Sequence, residues 1–392
     1  MTEAGAAGGS GAGGPAQTYR IALIPGDGVG TEVVAGAVSV LEQVGRSFGF
    51  GFAWNSLVVG GAGIDAYGVA IRPEDVEACR EADAVLLGAV GGPKWDNPDA
   101  AVRPEQALFA LRGGLGLFAN LRPITVARQL IAASPLKPEL LEGVDLLILR
   151  ELTSGLYFGR PSEQRTTEEG ERAAIDTLWY TESEIRRIVT LAFELARTRR
   201  RKVTQVDKAN VLATSRLWRR VTEEVRVDFP DVELEHRLVD SAAMVLAKWP
   251  AGFDVLVTEN LFGDILSDEA AVIAGSLGLM PSASVGTRTT AHGRHGLYEP
   301  IHGSAPDIAG KDLANPLGTI LSAAMMLRWS LGQEEAAKAI EAAVDAVLDA
   351  GCRTKDLLPA GGESDPALTL VGTKEMARLI GERIAIARPV PA

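Results

Sequence analysis

Cysteine is almost missing from this chain, which holds only Cys79 and Cys352 among its 392 residues. Two thiols cannot build a disulfide framework or a thiolate metal site, and such sparse use suits a reducing compartment. Both read as structural thiols. Histidine is also scarce, and His236, His292 and His295 form no set with metal-ligand spacing. His292 and His295 fall in a polar, Gly-rich stretch, so solvated rings are expected there. Positive charge is in deficit too: 39 Lys+Arg against 51 Asp+Glu leave a formal net charge of −12. That balance argues against nucleic acid or an anionic membrane as partner, since both need a net positive face. For an anionic substrate the positive charge must be local. No run approaches the roughly 18 consecutive apolar residues of a membrane span. The N-terminus lacks the basic stretch and apolar core of a secretion signal, and a cytoplasmic protein is expected. There is no Gly-x-Ser-x-Gly, no Cys/His nucleophile pair and no phosphate-binding loop of the P-loop type.

What is present is core: 46% of the residues are hydrophobic. Single cores stop growing near roughly 250–300 residues, so this length favours two lobes. Residues 1–17 are mostly Gly and Ala and read as a disordered leader outside the fold. Beyond them, short apolar runs alternate with long amphipathic ones. Tyr19 to Ile24, Ala82 to Gly88, Val144 to Leu149, Lys202 to Val206 and Phe253 to Val257 read as buried strands. Apolar strands separated by helices imply an α/β fold with a parallel or mixed sheet covered on both faces. The clearest helix starts after Thr181, where Thr181 and Glu184 have capping-box spacing. Ile185, Ile188, Val189, Ala192, Phe193 and Ala196 then form one apolar stripe. The basic run from Arg197 to Lys202 complements that helix's C-terminus and faces solvent. Residues 161–176 are polar and turn-rich, and read as an arm leaving the second lobe.

Several apolar strands end in charge. Arg150 ends one, Asp207 and Lys208 another, and Glu259 follows a third; in open α/β sheets ligands bind beyond the carboxyl ends of strands. Asp264 and Asp268 are spaced i, i+4, so on a helix their carboxylates are neighbours that repel unless something positive sits between them. A divalent cation with a preference for hard oxygen ligands would serve, Mg²⁺ or Mn²⁺; a solvated acidic helix start is the plainer alternative. Arg112, Arg122 and Arg150 lie among apolar or turn residues, and three guanidinium forks suit a di- or tricarboxylate, although each alone is also an ordinary ion-pair partner. Gly26-Asp-Gly-Val-Gly30 follows a strand, but Thr31 stands where the dinucleotide fingerprint needs its third glycine. The loop from Glu299 to Ala309 is a second candidate: Gly303 and Ser304 allow close approach of a phosphate, and Asp307 suits ribose hydroxyls.

Seven ordered motifs carry a resemblance: GDGVG at 26–30, LLGAVGGPKWD at 86–96, LFANLRP at 117–123, RELTSGLYFG at 150–159, VDKANVL at 206–212, NLFGDILSDEA at 260–270 and YEPIHGSAPDIAGKDLANP at 298–316. From about residue 18 to 385 the chain resembles the isocitrate/isopropylmalate dehydrogenase family of β-decarboxylating dehydrogenases. The resemblance implies a two-domain α/β fold with mixed sheets, distinct from the classical dinucleotide-binding fold. One domain would be 18–117 plus 276–392, which binds cofactor. The other would be 118–275, with the substrate and metal residues, the dimer contacts and an arm near 155–180.

It also implies roles. Arg112, Arg122 and Arg150 would clamp the substrate carboxylates. Asp240, Asp264 and Asp268 would hold Mg²⁺ or Mn²⁺, with Asp240 also at the substrate. Lys208 would take the proton of the substrate hydroxyl, hydride would pass to NAD⁺, and Tyr157 would protonate the carbon that loses CO₂. Lys208 and Asp240 would reach into a partner's site, making an obligate homodimer. Cofactor contacts would come from Glu105, His302, Gly303, Ser304, Ala305, Asp307, Ile308 and Asn315, with Asp307 favouring NAD over NADP. Leu108, Phe109 and Val211 would line an alkyl pocket, which points to 3-isopropylmalate, its oxidative decarboxylation to 4-methyl-2-oxopentanoate, and leucine biosynthesis. Phe109 departs from the commoner Leu and narrows the pocket. D-malate, tartrate or homoisocitrate is the alternative substrate. A catalytically inactive regulatory paralogue is the non-enzymatic alternative, although such a chain would have lost some of these residues. The stretch 286–296 is longer than usual for the family.

Overall fold

The computed structural model describes residues 17–97, 100–359, 362 and 365–387. Residues 1–16 of the expected leader lie outside the described residues. A ten-stranded sheet runs through the chain in the order β2-β1-β3-β12-β11-β4-β5-β10-β8-β9. Its strands are β1 (Thr18–Gly26), β2 (Gly51–Ser56), β3 (Ala84–Ala89), β4 (Ala119–Thr125) and β5 (Asp145–Glu151), then β8 (Lys202–Asp207), β9 (Glu233–Leu238), β10 (Val255–Thr258), β11 (Pro281–Thr289) and β12 (Arg294–Pro300). Both wings are parallel: β1 with β2 and β3, β3 with β12, and β5, β10, β8 and β9 in succession. The middle is antiparallel, where β11 pairs with β12 and β4, and β4 with β5.

The five strands read from sequence are β1, β3, β5, β8 and β10, each within two residues of its expected start. β3 and β10 are buried along their whole length, which is why they carry continuous apolar runs where half-buried strands alternate. The 182–197 helix starts as expected. Thr181 caps it, with both halves of the capping box made, and Ile185, Ile188, Val189, Ala192, Phe193 and Ala196 are buried. The basic run after it is neutralised by acids: Arg197 pairs with Asp231, and Arg199 with Asp145 and Asp254. Between β5 and that helix, β6 (Ser162–Thr166) and β7 (Arg172–Asp176) form a separate antiparallel hairpin, at the place read as an arm.

One expectation changes. The 286–296 stretch spans the turn of the β11–β12 hairpin, whose register shifts between Val285 and Thr289. His295 is therefore not solvated: it is 0% exposed in β12, and its Nε2 donates to the Cys79 carbonyl at 3.1 Å. An inward position on a central strand overrides the polar composition of its neighbourhood. Cys79 is buried as well, and burial pushes its thiol up to about 12, so it is inert near neutrality.

Candidate active site

Three arginines from three elements meet in one cavity of about 310 Å³. Arg112 lies in the last turn of the Gln106–Gly114 helix, Arg122 in β4 and Arg150 next to the last residue of β5, where the parallel wing delivers side chains beyond its carboxyl edge. Glu105, Leu108, Phe109, Tyr157, Asp264, Ser282, Glu299, His302 and Gly303 share the walls. The cavity thus has a cationic face, an apolar patch at Leu108 and Phe109, and a flank built from the 299–303 segment.

Each guanidinium is oriented by partners. Arg122 donates through Nε to Asn120 Oδ1 at 2.6 Å and through Nη1 to Ser267 Oγ at 2.5 Å and Asp268 Oδ1 at 3.3 Å. Arg150 donates through Nε to Asn260 Oδ1 at 3.0 Å and through Nη1 to Asp264. Arg112 Nη2 meets Glu299 Oε1 at 3.3 Å, while its buried Nε has no partner. Burial, reinforced by Arg150 nearby, pushes Arg122 down to about 10, and burial lowers Arg150 as well. Holding buried cations together costs free energy that an anionic ligand would recover.

Asp264 and Asp268 lie on the Asn260–Ile273 helix, one turn apart. Their mutual repulsion is already offset, because Arg150 and Arg122 reach them from the sheet. Tyr157 Oη donates to Asp264 Oδ2 at 2.9 Å. Burial first, then the Asp264 carboxylate, pushes the Tyr157 phenol up to about 12, so it stays protonated and able to donate near neutrality.

The cofactor candidates divide. His302 and Gly303 line the cavity. His302 Nδ1 donates to the Gly303 carbonyl at 2.9 Å, which leaves its buried Nε2 as an acceptor without partner, and burial lowers its pKa. A Cβ on Gly303 would meet nothing within 4 Å. Ser304 is buried, its carbonyl accepting from Val29 N at 2.8 Å. Ala305 and Ile308 pack on Val29, Val33 and Ala314. Asp307 is exposed. Asn315 is bound within the protein, donating to Asp356 Oδ2 at 2.9 Å and accepting from Leu317 N at 3.0 Å. An open glycine surface and an orphaned buried acceptor fit a planar, polar-edged cofactor.

Gly26-Asp-Gly-Val-Gly30 supports this segment from behind. Asp27 accepts from Gly61 N, Ala62 N and Gly91 N at 2.7–2.8 Å. Gly28, at φ +56°, lets the Ser304 carbonyl come so close that a Cβ would lie 2.0 Å from it.

Lys208, Asp240 and Val211 are not brought to the cavity. Lys208 Nζ donates to Asp240 Oδ1 at 2.8 Å, the Asp240 carboxylate is lowered by that bond, and Val211 is 63% exposed nearby in sequence. Among the described residues, no three His, Cys, Asp or Glu side chains of one chain gather as a metal site. The oxygen-only pair Asp264 and Asp268 fits a hard divalent cation as two ligands of a larger set.

Sequence reasoning missed Glu299, Asn120, Asn260, Ser267 and Ser282 as site residues. Asn120 was accessible: it stands two residues before Arg122 on a strand, hence on the same face. Asn260, Ser267 and Glu299 lie inside quoted motifs, but only the fold shows which guanidinium each one holds.

Comparison with known proteins places the chain in context. The model of isocitrate/isopropylmalate dehydrogenases matches residues 20–380. The chain is 57% identical over 362 residues to a 3-isopropylmalate dehydrogenase of Geobacillus kaustophilus, spanning 92% of this chain and 94% of that protein. It is 56% identical to that of Anaeromyxobacter dehalogenans, over 93% and 99%. Among solved structures, isocitrate dehydrogenase from Methylococcus capsulatus is similar with a TM-score of 0.80 and 36% identity, covering 93% of this chain and 99% of that one. A β-decarboxylating dehydrogenase from Thermococcus kodakarensis, in its apo form, gives 0.72 and 37%, over 94% and 96%.

Proposed function

The chain belongs to the isocitrate/isopropylmalate dehydrogenase family, and from that premise we propose that it oxidatively decarboxylates 3-isopropylmalate to 4-methyl-2-oxopentanoate and CO₂, in leucine biosynthesis in the cytoplasm. The observation that carries the reading is the cavity itself: Arg112, Arg122 and Arg150 face it together with Tyr157 and an apolar patch at Leu108 and Phe109. A substrate with two carboxylates and a short branched alkyl group matches that combination of walls.

Arg112, Arg122 and Arg150 bind the carboxylates and fix the substrate's orientation. Leu108 and Phe109, joined by Val211 of a second copy, accept the alkyl group; an apolar site discriminates by roughly 1–3 kcal/mol per group. Lys208 of the second copy takes the proton from the substrate hydroxyl. Tyr157, kept protonated by its surroundings, returns a proton to the carbon from which CO₂ departs. Asp264 and Asp268, completed by Asp240 of the second copy, would hold Mg²⁺ or Mn²⁺, and the 302–308 segment with Glu105 would hold NAD, with the exposed Asp307 carboxylate disfavouring a 2′-phosphate. When bound, the cation would acidify the hydroxyl and the nicotinamide would accept hydride.

A homodimer follows from this reading, since one chain keeps Lys208, Asp240 and Val211 out of its own cavity. Met244, Ile265 and Val272, on the Val239–Lys248 and Asn260–Ile273 helices, are 65%, 59% and 54% exposed, and a second copy would cover them. We place the domain boundary near 118 and 276, with closure over the cavity. None of the helices among the described residues is long and apolar enough to cross a membrane. The test is nicotinamide absorbance with NAD⁺, Mg²⁺ and matched 3-isopropylmalate, D-malate, isocitrate and homoisocitrate. A tenfold or greater lead for 3-isopropylmalate, about 1.4 kcal/mol of transition-state preference, supports the assignment. A lead for any other substrate overturns it.

A further inference from the structure

Arg150 is the most buried of the three guanidinium side chains, at 4% exposure. Its stem is fixed by packing: a Cβ on Gly263 would lie 2.7 Å from Arg150 Cγ, so the Asn260–Ile273 helix runs against it. Fixing the stem leaves the head free to turn, and the head is held by a neutral partner. Arg150 Nε donates to Asn260 Oδ1 at 3.0 Å. Asn260 is 1% exposed, and the polarity of its amide is settled by its other contact. Its Nδ2 faces the Ser154 carbonyl at 3.1 Å, which only accepts, so Oδ1 is the atom left for Arg150.

Asn260 is held in turn. Its backbone N–H donates to Tyr180 Oη at 3.0 Å, and the Tyr180 hydroxyl donates to Glu151 Oε2 at 3.3 Å. Glu151 is 0% exposed and follows Arg150 directly in β5. The contacts therefore close a ring from Arg150 through Asn260, Tyr180 and Glu151 back to Arg150. Buried, mutually satisfied networks of this kind rigidify what they hold.

We propose that Asn260 is a positioning residue that fixes the Arg150 guanidinium for the substrate carboxylate, with Tyr180 holding Asn260 in place. The proposal rests on the substrate reading above. Nε is committed to Asn260 and Nη1 to Asp264, so the orientation of the remaining edge depends on both bonds. Removing the neutral one lets the head turn without removing its charge.

The experiment is a double-mutant cycle on the full-length protein, with Asn260→Ala, Arg150→Lys and the double variant. Read out are KM for 3-isopropylmalate, KM for NAD⁺, and calorimetric binding of 3-isopropylmalate with Mg²⁺ and no NAD⁺. Asn260→Ala is expected to raise the substrate KM roughly tenfold and weaken binding alike, a charged hydrogen bond being lost, while the NAD⁺ KM stays within about twofold. In the Arg150→Lys background the same change should add less than about twofold. Additive effects, or an equal rise in the NAD⁺ KM, would overturn the proposal. If Asn260→Ala fails to fold, Tyr180→Phe enters the same cycle, with about a threefold expected effect that vanishes beside Arg150→Lys. Wild type that neither binds nor turns over 3-isopropylmalate sinks the substrate reading; wild type that does both, with an additive cycle, sinks only the role of Asn260.

Discussion

Lys208 Nζ lies 2.8 Å from Asp240 Oδ1, yet neither residue lines the cavity that Arg112, Arg122 and Arg150 share. If the two serve a neighbour's cavity, a Lys208 defect on one chain and an Arg150 defect on the other fall on the same site of a mixed dimer and spare the second site. Lys208→Ala and Arg150→Ala proteins should each be nearly inactive. After unfolding and refolding together in equal amounts, half of the dimers are mixed and each mixed dimer has one intact site, so about a quarter of wild-type activity should return. No recovery, with dimers confirmed by light scattering, would mean that each chain supplies both residues to its own cavity.

The contact between Gly28 and Ser304 predicts a contrast between two glycine substitutions. Gly28→Ala must place a Cβ 2.0 Å from a backbone carbonyl at φ +56°, a strain of about 1–3 kcal/mol before any clash is relieved. The 302–308 segment should shift, with a lower unfolding midpoint and a raised NAD⁺ KM. Gly303→Ala meets no protein atom within 4 Å, so its stability should hold. Its NAD⁺ affinity should still fall several-fold if the open space there belongs to the cofactor. Equilibrium unfolding and fluorescence titration with NADH separate the two, and unchanged NADH binding by Gly303→Ala would refute the cofactor placement.

How much of this was legible beforehand depends on the range of the interaction. β3 and β10 announced themselves because a strand buried on both faces must be apolar throughout, and Thr181 with Glu184 marked a helix start because capping is local. The antiparallel centre was not legible: β11 pairs with β4 across more than a hundred residues, and β4, β11 and β12 are largely buried yet mix polar, Gly and Pro residues with their apolar ones. The same divide runs through the site. Arg112, Arg122 and Arg150 stood out as charges in apolar settings. Their convergence, and the partnership of Arg112 with Glu299, are set by the order of the sheet and the packing of the Gln106–Gly114 helix beside it. His295 misled for the converse reason, since its neighbours in sequence are polar while those in space are the Cys79 strand-facing helix and the sheet.

Arg122 is tied to Asn120, Ser267 and Asp268 at once, a geometry that needs a planar fork. A lysine ammonium keeps the charge but cannot reach all three in one position. Arg122→Lys should therefore lower kcat/KM for 3-isopropylmalate by roughly a hundredfold and destabilise the fold by about 1–3 kcal/mol, through the acceptors left unpaired. Asn120→Ala should show a smaller loss in the same direction. Steady-state kinetics with urea unfolding check both, and a loss below threefold for Arg122→Lys would mean that only charge matters at this position.

His295 makes stability depend on pH in the range where imidazole titrates. Its Nε2 donates to the Cys79 carbonyl, its Nδ1 has no partner, and burial lowers its pKa in the folded state. The unfolded ring titrates near 6.5. Above that value both states are neutral and the ring adds no pH dependence. Below it the unfolded chain gains a proton that the folded chain resists, so stability falls as pH drops through the folded pKa, at up to about 1.4 kcal/mol per unit. Urea midpoints at fixed protein concentration should therefore decline from pH 6.5 to 5. His295→Gln, which cannot be charged, should begin lower at pH 7.5 but decline less over that interval. Parallel curves for the two proteins would show that some other group carries the effect.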